Sequence, residues 1–306
     1  MKGPCVLAQK SARHALKQRV HVLRGHVKAA AAHDVDGIHD LRVASRRLRA
    51  ALGDFAGRFK KRALKPLRKR ARDVTRGLGK ARELDVTLGL LRAMRRDAPK
   101  ELHPAIARAS RMLRAMRDEQ SSSVDASCAF VRDHAFRTEI GDLIDADRRS
   151  ETCYRKETAL TLRKRYTRLA SAYREWIASP SDDSLHQVRI AFKKLRYSCE
   201  IARDLYGERM DALIEKIKGA QETLGDWNDV RVLRDYLVAC AKANPGMAAE
   251  FANIEARCDE TAKQHLDDFA KRAPQLLDKS ARAAANELFS TPEVVCCVRR
   301  GGRTSL

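Results

Sequence analysis

Apolar residues recur along the chain every three or four positions, with cationic and polar residues between them, and no stretch sustains the two-residue alternation of a half-buried strand. The pattern predicts an all-α protein. Helices are expected over 9–32, 38–57, 64–80, 83–97 and 103–119 in the first half, and over 155–178, 185–206, 209–224, 228–243, 247–272 and 275–289 in the second. Local punctuation supports these bounds: Asp36-Gly37 precedes one helix, Ser181 to Ser184 offer N-caps for another, and Asn244-Pro245-Gly246 breaks the chain before a third. The Ser-rich run Asp118 to Cys128 reads as a linker, and the end from Ser290 as a frayed tail.

The helical pattern contains an internal repeat. Residues 38–51 read IHDLRVASRRLRAA and residues 185–198 read LHQVRIAFKKLRYS, so that His39 aligns with His186, Arg42 with Arg189, Arg46-Arg47 with Lys193-Lys194, and Arg49 with Arg196. Leu78-Gly79 matches Leu224-Gly225 downstream, and Asp85-Val86 matches Asp229-Val230. Order and spacing persist, so two copies of one helical unit make up most of the chain.

On a helical wheel with His39 at 0°, Arg49, Arg42 and Arg46 fall at about 280°, 300° and 340°. Leu41, Ala44, Leu48, Ala51, Leu52 and Phe55 occupy the opposite arc and form the expected buried stripe. The second copy repeats the wheel: His186, Arg189, Lys193 and Arg196 share one arc, and Val188, Ala191, Leu195 and Cys199 the other. Arg47 and Lys194 lie away from both. A solvated helix face ordinarily mixes signs, because like charges one turn apart destabilise a helix slightly. The like-charged arc therefore points to an anionic ligand.

Charge sharpens this reading and makes it uneven. The chain of 306 residues carries 62 Lys+Arg against 40 Asp+Glu, a formal net charge of +22. Residues 1–150 hold 35 basic and 17 acidic side chains (35 − 17 = +18), and residues 151–306 hold 27 and 23 (27 − 23 = +4). Between Arg58 and Arg76, ten of nineteen residues are Lys or Arg and only Asp73 is acidic. With Pro66 as a first-turn residue, Lys69, Arg72 and Arg76 line one face of that helix. The matching stretch of the second copy keeps only Lys216 and Lys218, of which Lys218 aligns with Arg72. Lys17 and Lys164, each 22 residues before the matched histidine (39 − 17 = 186 − 164 = 22), project at comparable places. Leu160, Tyr166, Leu169, Tyr173 and Trp176 read as core.

Other classes lose support. No apolar run approaches the roughly 20 residues that cross a bilayer, and the start lacks the apolar stretch of a secretory signal. A cytoplasmic location is the expectation. The eight cysteines contain no C-x-x-C pair and read as reduced, mostly apolar filler, with neither a zinc site nor a disulfide frame. Glu83, Asp85, Asp226 and Asp229 are expected to cap helices or hold arginines such as Arg82.

The duplicated H-x-x-R-[VI]-A-x-[RK]-[RK]-L-R pattern, each copy followed by an L-G turn and an acidic D-V, resembles the CHAD family, the conserved histidine α-helical domain. The resemblance covers about residues 8–285. It implies two pseudo-symmetric antiparallel four-helix bundles with a basic central cleft: a single domain over 1–285 made of repeat one at about 8–120 and repeat two at about 150–285. Residues 121–149 form the linker region and 290–306 a flexible tail. The resemblance also implies non-enzymatic binding of inorganic polyphosphate, with a location at polyphosphate granules. The lysine- and arginine-poor stretch over 209–224 departs from an evenly basic channel, so contacts are expected to favour the first repeat.

The candidate polyphosphate ligands are therefore His39, Arg42, Arg46, Arg49, Lys69, Arg72, Arg76, His186, Arg189, Lys193, Arg196, Lys218, Lys17 and Lys164. Arginine suits such a ligand because its planar fork reaches two oxygens, and lysine supplies a point charge. The histidines either touch the ligand or fasten helix contacts. No cofactor is expected. Two other functions stay open: nucleic-acid binding on the same basic surface, against which stands the lack of aromatics on the basic arcs, and a metal-assisted phosphohydrolase built on the two histidines, for which no compact ligand spacing exists.

Overall fold

The computed structural model describes residues 8–145 and 154–290, and every regular element among them is helical. The first half holds α1 (Ala8–Gly25), α2 (Val27–Ala31), α3 (Val35–Asp54), α4 (Lys61–Gly77), α5 (Gly79–Asp97), α6 (His103–Asp118), α7 (Ser121–Arg132) and α8 (His134–Asp145). The second holds α9 (Tyr154–Ala178), α10 (Asp182–Tyr206), α11 (Glu208–Ala243), α12 (Ala248–Arg272), α13 (Pro274–Leu277) and α14 (Lys279–Phe289). Of the tail expected over 290–306, all but Ser290 lies outside the described residues.

Short polar residues set the two helices that carry the repeat. The Asp34 carboxylate accepts a hydrogen bond from the Gly37 N–H at 2.7 Å, which starts α3 at Val35, ahead of the expected position. Gly37 is therefore inside the first turn. A Cβ there would come within 2.6 Å of Ala29, so the glycine serves the close approach of α2 to α3. Ser181 and Ser184 form a reciprocal capping box that opens α10.

Further boundaries differ from the sequence pattern: the stretch expected as one helix over 9–32 is α1 and α2, and that over 275–289 is α13 and α14. α4 begins at Lys61, so Pro66 sits inside the helix; burial of Phe59, Leu64 and Leu67 holds the turn that precedes it. The Leu224-Gly225 pair does not form a turn, because α11 runs unbroken through it with Leu224, Trp227 and Val230 buried along one side. A single glycine costs a helix only about 1 kcal/mol, which such burial exceeds. At the matching Leu78-Gly79 the interruption is a single residue with helix-like φ −85° and ψ −5°.

The linker reading of the Ser-rich run is corrected as well. Residues 121–132 and 134–145 are helical, and Val124, Cys128, Val131, Phe136, Ile140 and Leu143 are buried. Serine composition hid a three-to-four spacing of apolar residues. The partner had been prepared in α4: a Cβ on Gly77 would lie 2.3 Å from Ser127 Oγ, so α7 packs onto α4 where the side chain is missing.

Two apolar clusters form the core among the described residues. One joins α1–α4 with α7 and α8 through Leu16, Leu48, Leu67 and Phe136. The other joins α9–α14 with α5 and α6, so Leu91, Ile106 and Leu113 of the first repeat pack with Phe192, Leu237 and Phe251 of the second. In the latter cluster Tyr166, Leu169 and Trp176 are buried and Tyr173 packs at its edge, whereas Leu160, expected in the core, is 58% exposed. Between the clusters equivalent helices meet: α3 packs against α10, and α5 against the second half of α11, where Glu83 accepts the Tyr236 hydroxyl at 2.8 Å.

Candidate functional site

The α3–α10 seam brings the two copies of the repeat motif together. Ile38, Leu41, Ala44, Leu48, Ala51 and Leu52 turn into the first cluster and Leu185, Val188, Phe192, Leu195 and Cys199 into the second, which leaves the polar arcs facing the seam. Arg42 and Arg46 of α3 and Arg189 and Lys193 of α10 lie within electrostatic reach of one another. None of the four forms an ion pair among the described residues. The Nε atoms of Arg42 and Arg189 are both buried without a hydrogen-bond partner among the described residues.

This crowding shifts protonation. Burial, then Arg46, pushes the Arg42 guanidinium down to about 10, so it stays charged at neutral pH. Burial lowers Arg189 as well, against the pull of Asp229. The largest effect falls on Lys193, where burial, followed by Arg46, Arg189 and Arg42, pushes the amine down to about 6. The two histidines flank the group. His39 is lowered by burial and then by Arg82, and His186 by burial, Arg189 and Lys193. Neither imidazole makes a hydrogen bond among the described residues, so neither fastens a helix contact in that way.

From this nest the cations extend unequally. On one side Arg49 faces Arg46 and then Arg72, Arg68 and Arg76 of α4, while Lys194 of α10 faces Arg165 and Arg168 of α9 and also Arg49. Acid is sparse here: Asp73 takes Lys69 at 3.2 Å and lies 3.9 Å from Arg72, and Asp54 takes Arg165 at 2.8 Å. On the other side a cleft of about 490 Å³ is lined by residues including Arg47, Arg196, Lys218, Glu200, Asp211 and Glu215. There the cations are matched: Arg47 donates to Glu200 at 2.9 and 3.3 Å, Arg196 lies 3.5 Å from the same carboxylate, Arg203 2.6 Å from Asp211, and Lys218 3.7 Å from Glu215.

The structure thus divides the fourteen candidates. Arg42, Arg46, Arg189 and Lys193 converge, His39 and His186 border them, and Arg49 of α3 continues the group toward Arg72 and Arg76 of α4. Arg196 and Lys218 sit in the neutralised cleft. Lys69 is paired, and Lys17 and Lys164 are exposed on α1 and α9 without an ion pair among the described residues.

Sequence reasoning missed two participants. The Arg46 and Arg196 guanidiniums each stand over the Tyr197 ring, 5.8 and 5.3 Å from its centroid, and Tyr197 is 6% exposed. An aromatic therefore does stand on a basic arc: eleven residues beyond His186 it falls near about 20° on the wheel, beside the cations. Arg82, in the first turns of α5, faces His39 and Arg42. The acids act as scaffold in part. Asp85 is buried against Arg117 at 2.7 Å, not against Arg82, whereas its equivalent Asp229 faces Arg189 and Lys193.

Cys128, Cys199, Cys240 and Cys258 are free and buried. Among the described residues no three His, Cys, Asp or Glu side chains group so as to hold a metal ion, and no helix is long and apolar enough to cross a membrane.

Fold and site together define an all-helical protein whose related halves meet along a cation-lined seam. The CHAD domain family model matches residues 14–238, and the chain belongs to that family. The crystal structure of the CHAD domain from the plant Ricinus communis is similar with a TM-score of 0.66 and 18% identity, covering 93% of this chain and 96% of that one. PptA from Streptomyces chartreusis is similar with a TM-score of 0.64 and 16% identity, over 87% and 99%. At these identities the likeness establishes the fold. No curated protein matches the sequence.

Proposed function

We propose that this protein binds inorganic polyphosphate, without turning it over, along the α3–α10 seam and the basic face of α4. The observation that carries the reading is the convergence of Arg42, Arg46, Arg189 and Lys193, none of which forms an ion pair among the described residues, with Asp229 the one carboxylate that faces Arg189 and Lys193. Placing like charges together in a partly dry seam is unfavourable in the empty protein, and an anion supplies what the fold leaves out. A phosphate chain fits this chemistry: it carries about one charge per unit, offers acceptor oxygens on every side and needs no base-reading groups. The resemblance of the repeat motif to CHAD proteins favours the same ligand. Location in the cytoplasm at polyphosphate granules follows from this reading.

A nucleic acid would meet the same charges but would need faces on which bases stack. Tyr197 is buried and carries two guanidiniums over its ring, so it does not offer one. The test is charge reversal of Arg42, Arg46 and Arg49 to Glu together. Polyphosphate binding is expected to fall at least a hundredfold with helicity retained by circular dichroism; binding that survives in the folded variant places the site elsewhere.

A further inference from the structure

We propose that the seam takes up a proton together with its phosphate ligand, and that Lys193 is the group that receives it. The inference rests on the polyphosphate reading and adds the protonation chemistry of that site.

The geometry singles out one residue. Lys193 is the lysine of a nest whose other converging cations are arginines, and its equivalent in the first repeat is Arg46 (193 − 46 = 147). The groups that face it are Arg42 and Arg46 from α3, Arg189 and His186 on its own helix, and Asp229 from α11. Arginine holds its proton throughout the neutral range, so mutual repulsion in the empty seam can be relieved only where a proton can leave. Burial and Arg189 lower His186, and Asp229 is a single carboxylate against three guanidiniums. The lysine amine is the group that yields: it is half-buried on the packed α3–α10 face, beside Arg42 and Arg189 whose Nε atoms are buried without a partner among the described residues, and it forms no ion pair there; burial and the three arginines push it down to about 6.

A phosphate chain laid along the seam reverses the cause. Its charges offset the arginines, and each oxygen near Nζ favours the ammonium, which donates three hydrogen bonds where the neutral amine donates two. The proton comes from solvent buffer, and no bond in the ligand is made or broken. Linkage then requires affinity to fall as pH rises above the value for the empty seam, by up to tenfold per pH unit for one proton.

The experiment is calorimetric titration of the full chain with long-chain polyphosphate at pH 8, in buffers of different ionisation enthalpy, whose slope counts protons taken up on binding. Long chains keep the contribution of their titrating ends small. We expect close to one proton more per occupied seam for the wild type than for Lys193→Arg, which binds but carries its charge throughout. Lys193→Met is the second variant: binding weakens several-fold and the extra proton is again missing. His39→Gln/His186→Gln should keep the uptake. Equal uptake in the wild type and both Lys193 variants, or uptake lost only with the histidines, overturns the proposal while leaving polyphosphate binding intact. Absence of any binding heat or displacement in the wild type sinks the underlying reading instead.

Discussion

Arg42 and Arg189 stand 147 residues apart in the chain (189 − 42 = 147) and meet across the α3–α10 seam, each with a buried Nε that has no hydrogen-bond partner among the described residues. They are the same residue of the repeat, seen twice. A buried donor left unsatisfied costs about 1–3 kcal/mol, more when charged, so the folded protein maintains this pair against its own stability. Changing both to Met should therefore move two measurements in opposite directions. Polyphosphate affinity should drop tenfold or more, while urea unfolding of the unliganded protein shows unchanged stability or a gain of about 1 kcal/mol. Loss of stability together with affinity would mark the arginines as scaffold.

The two sides of the seam differ in how far acid matches base. Glu200 holds Arg47 at 2.9 Å and lies 3.5 Å from Arg196, which silences two cations on the side of α11. Glu200→Gln keeps the shape and removes the charge. Affinity for polyphosphate should rise, about two- to fivefold at low salt, and the plot of log affinity against log salt should steepen because more cations meet phosphate. An unchanged or weakened affinity in fluorescence titrations would show that the ligand does not reach this side.

Lys193 also predicts a pH dependence of the unliganded protein. Its amine is at about 6 in the fold and 10.5 in an unfolded chain. The unfolded state thus binds more protons between those values, so stability rises with pH across that window and is lost as pH falls through about 6. The contribution is roughly 1 kcal/mol per pH unit between pH 7 and 9. Denaturant unfolding of Lys193→Met over that range should lack this rise relative to the wild type. Parallel curves would show that the amine is charged in the empty seam.

How far the sequence carried the picture varies by element. The polar arc and the buried stripe of α3 followed directly from 3.6-residue spacing, and Leu41, Leu48 and Leu52 are buried as that spacing requires. Periodicity assigns each helix a face but not a partner, so the packing of α5 and α6 on the second half's core was not legible. The helix at Ser121–Arg132 was hidden because serine composition outweighed the spacing of Val124, Cys128 and Val131; Gly77 was the sign of a helix packed close. The division of the cations was hidden for a related reason. Arg196 shares its arc with Lys193, yet four residues further along the same helix stands Glu200, and only the fold shows that this carboxylate serves Arg47 of the other repeat as well.

The most direct test of the account is a titration of the intact chain with polyphosphates of defined length at about 150 mM salt, with single-stranded RNA of matched charge as competitor. Affinity should rise with chain length until the seam and the α4 face are filled and then level off, and polyphosphate should displace the RNA. RNA that displaces polyphosphate, or an affinity set by total charge alone with no plateau in length, would contradict a built phosphate-chain site and leave only a basic surface.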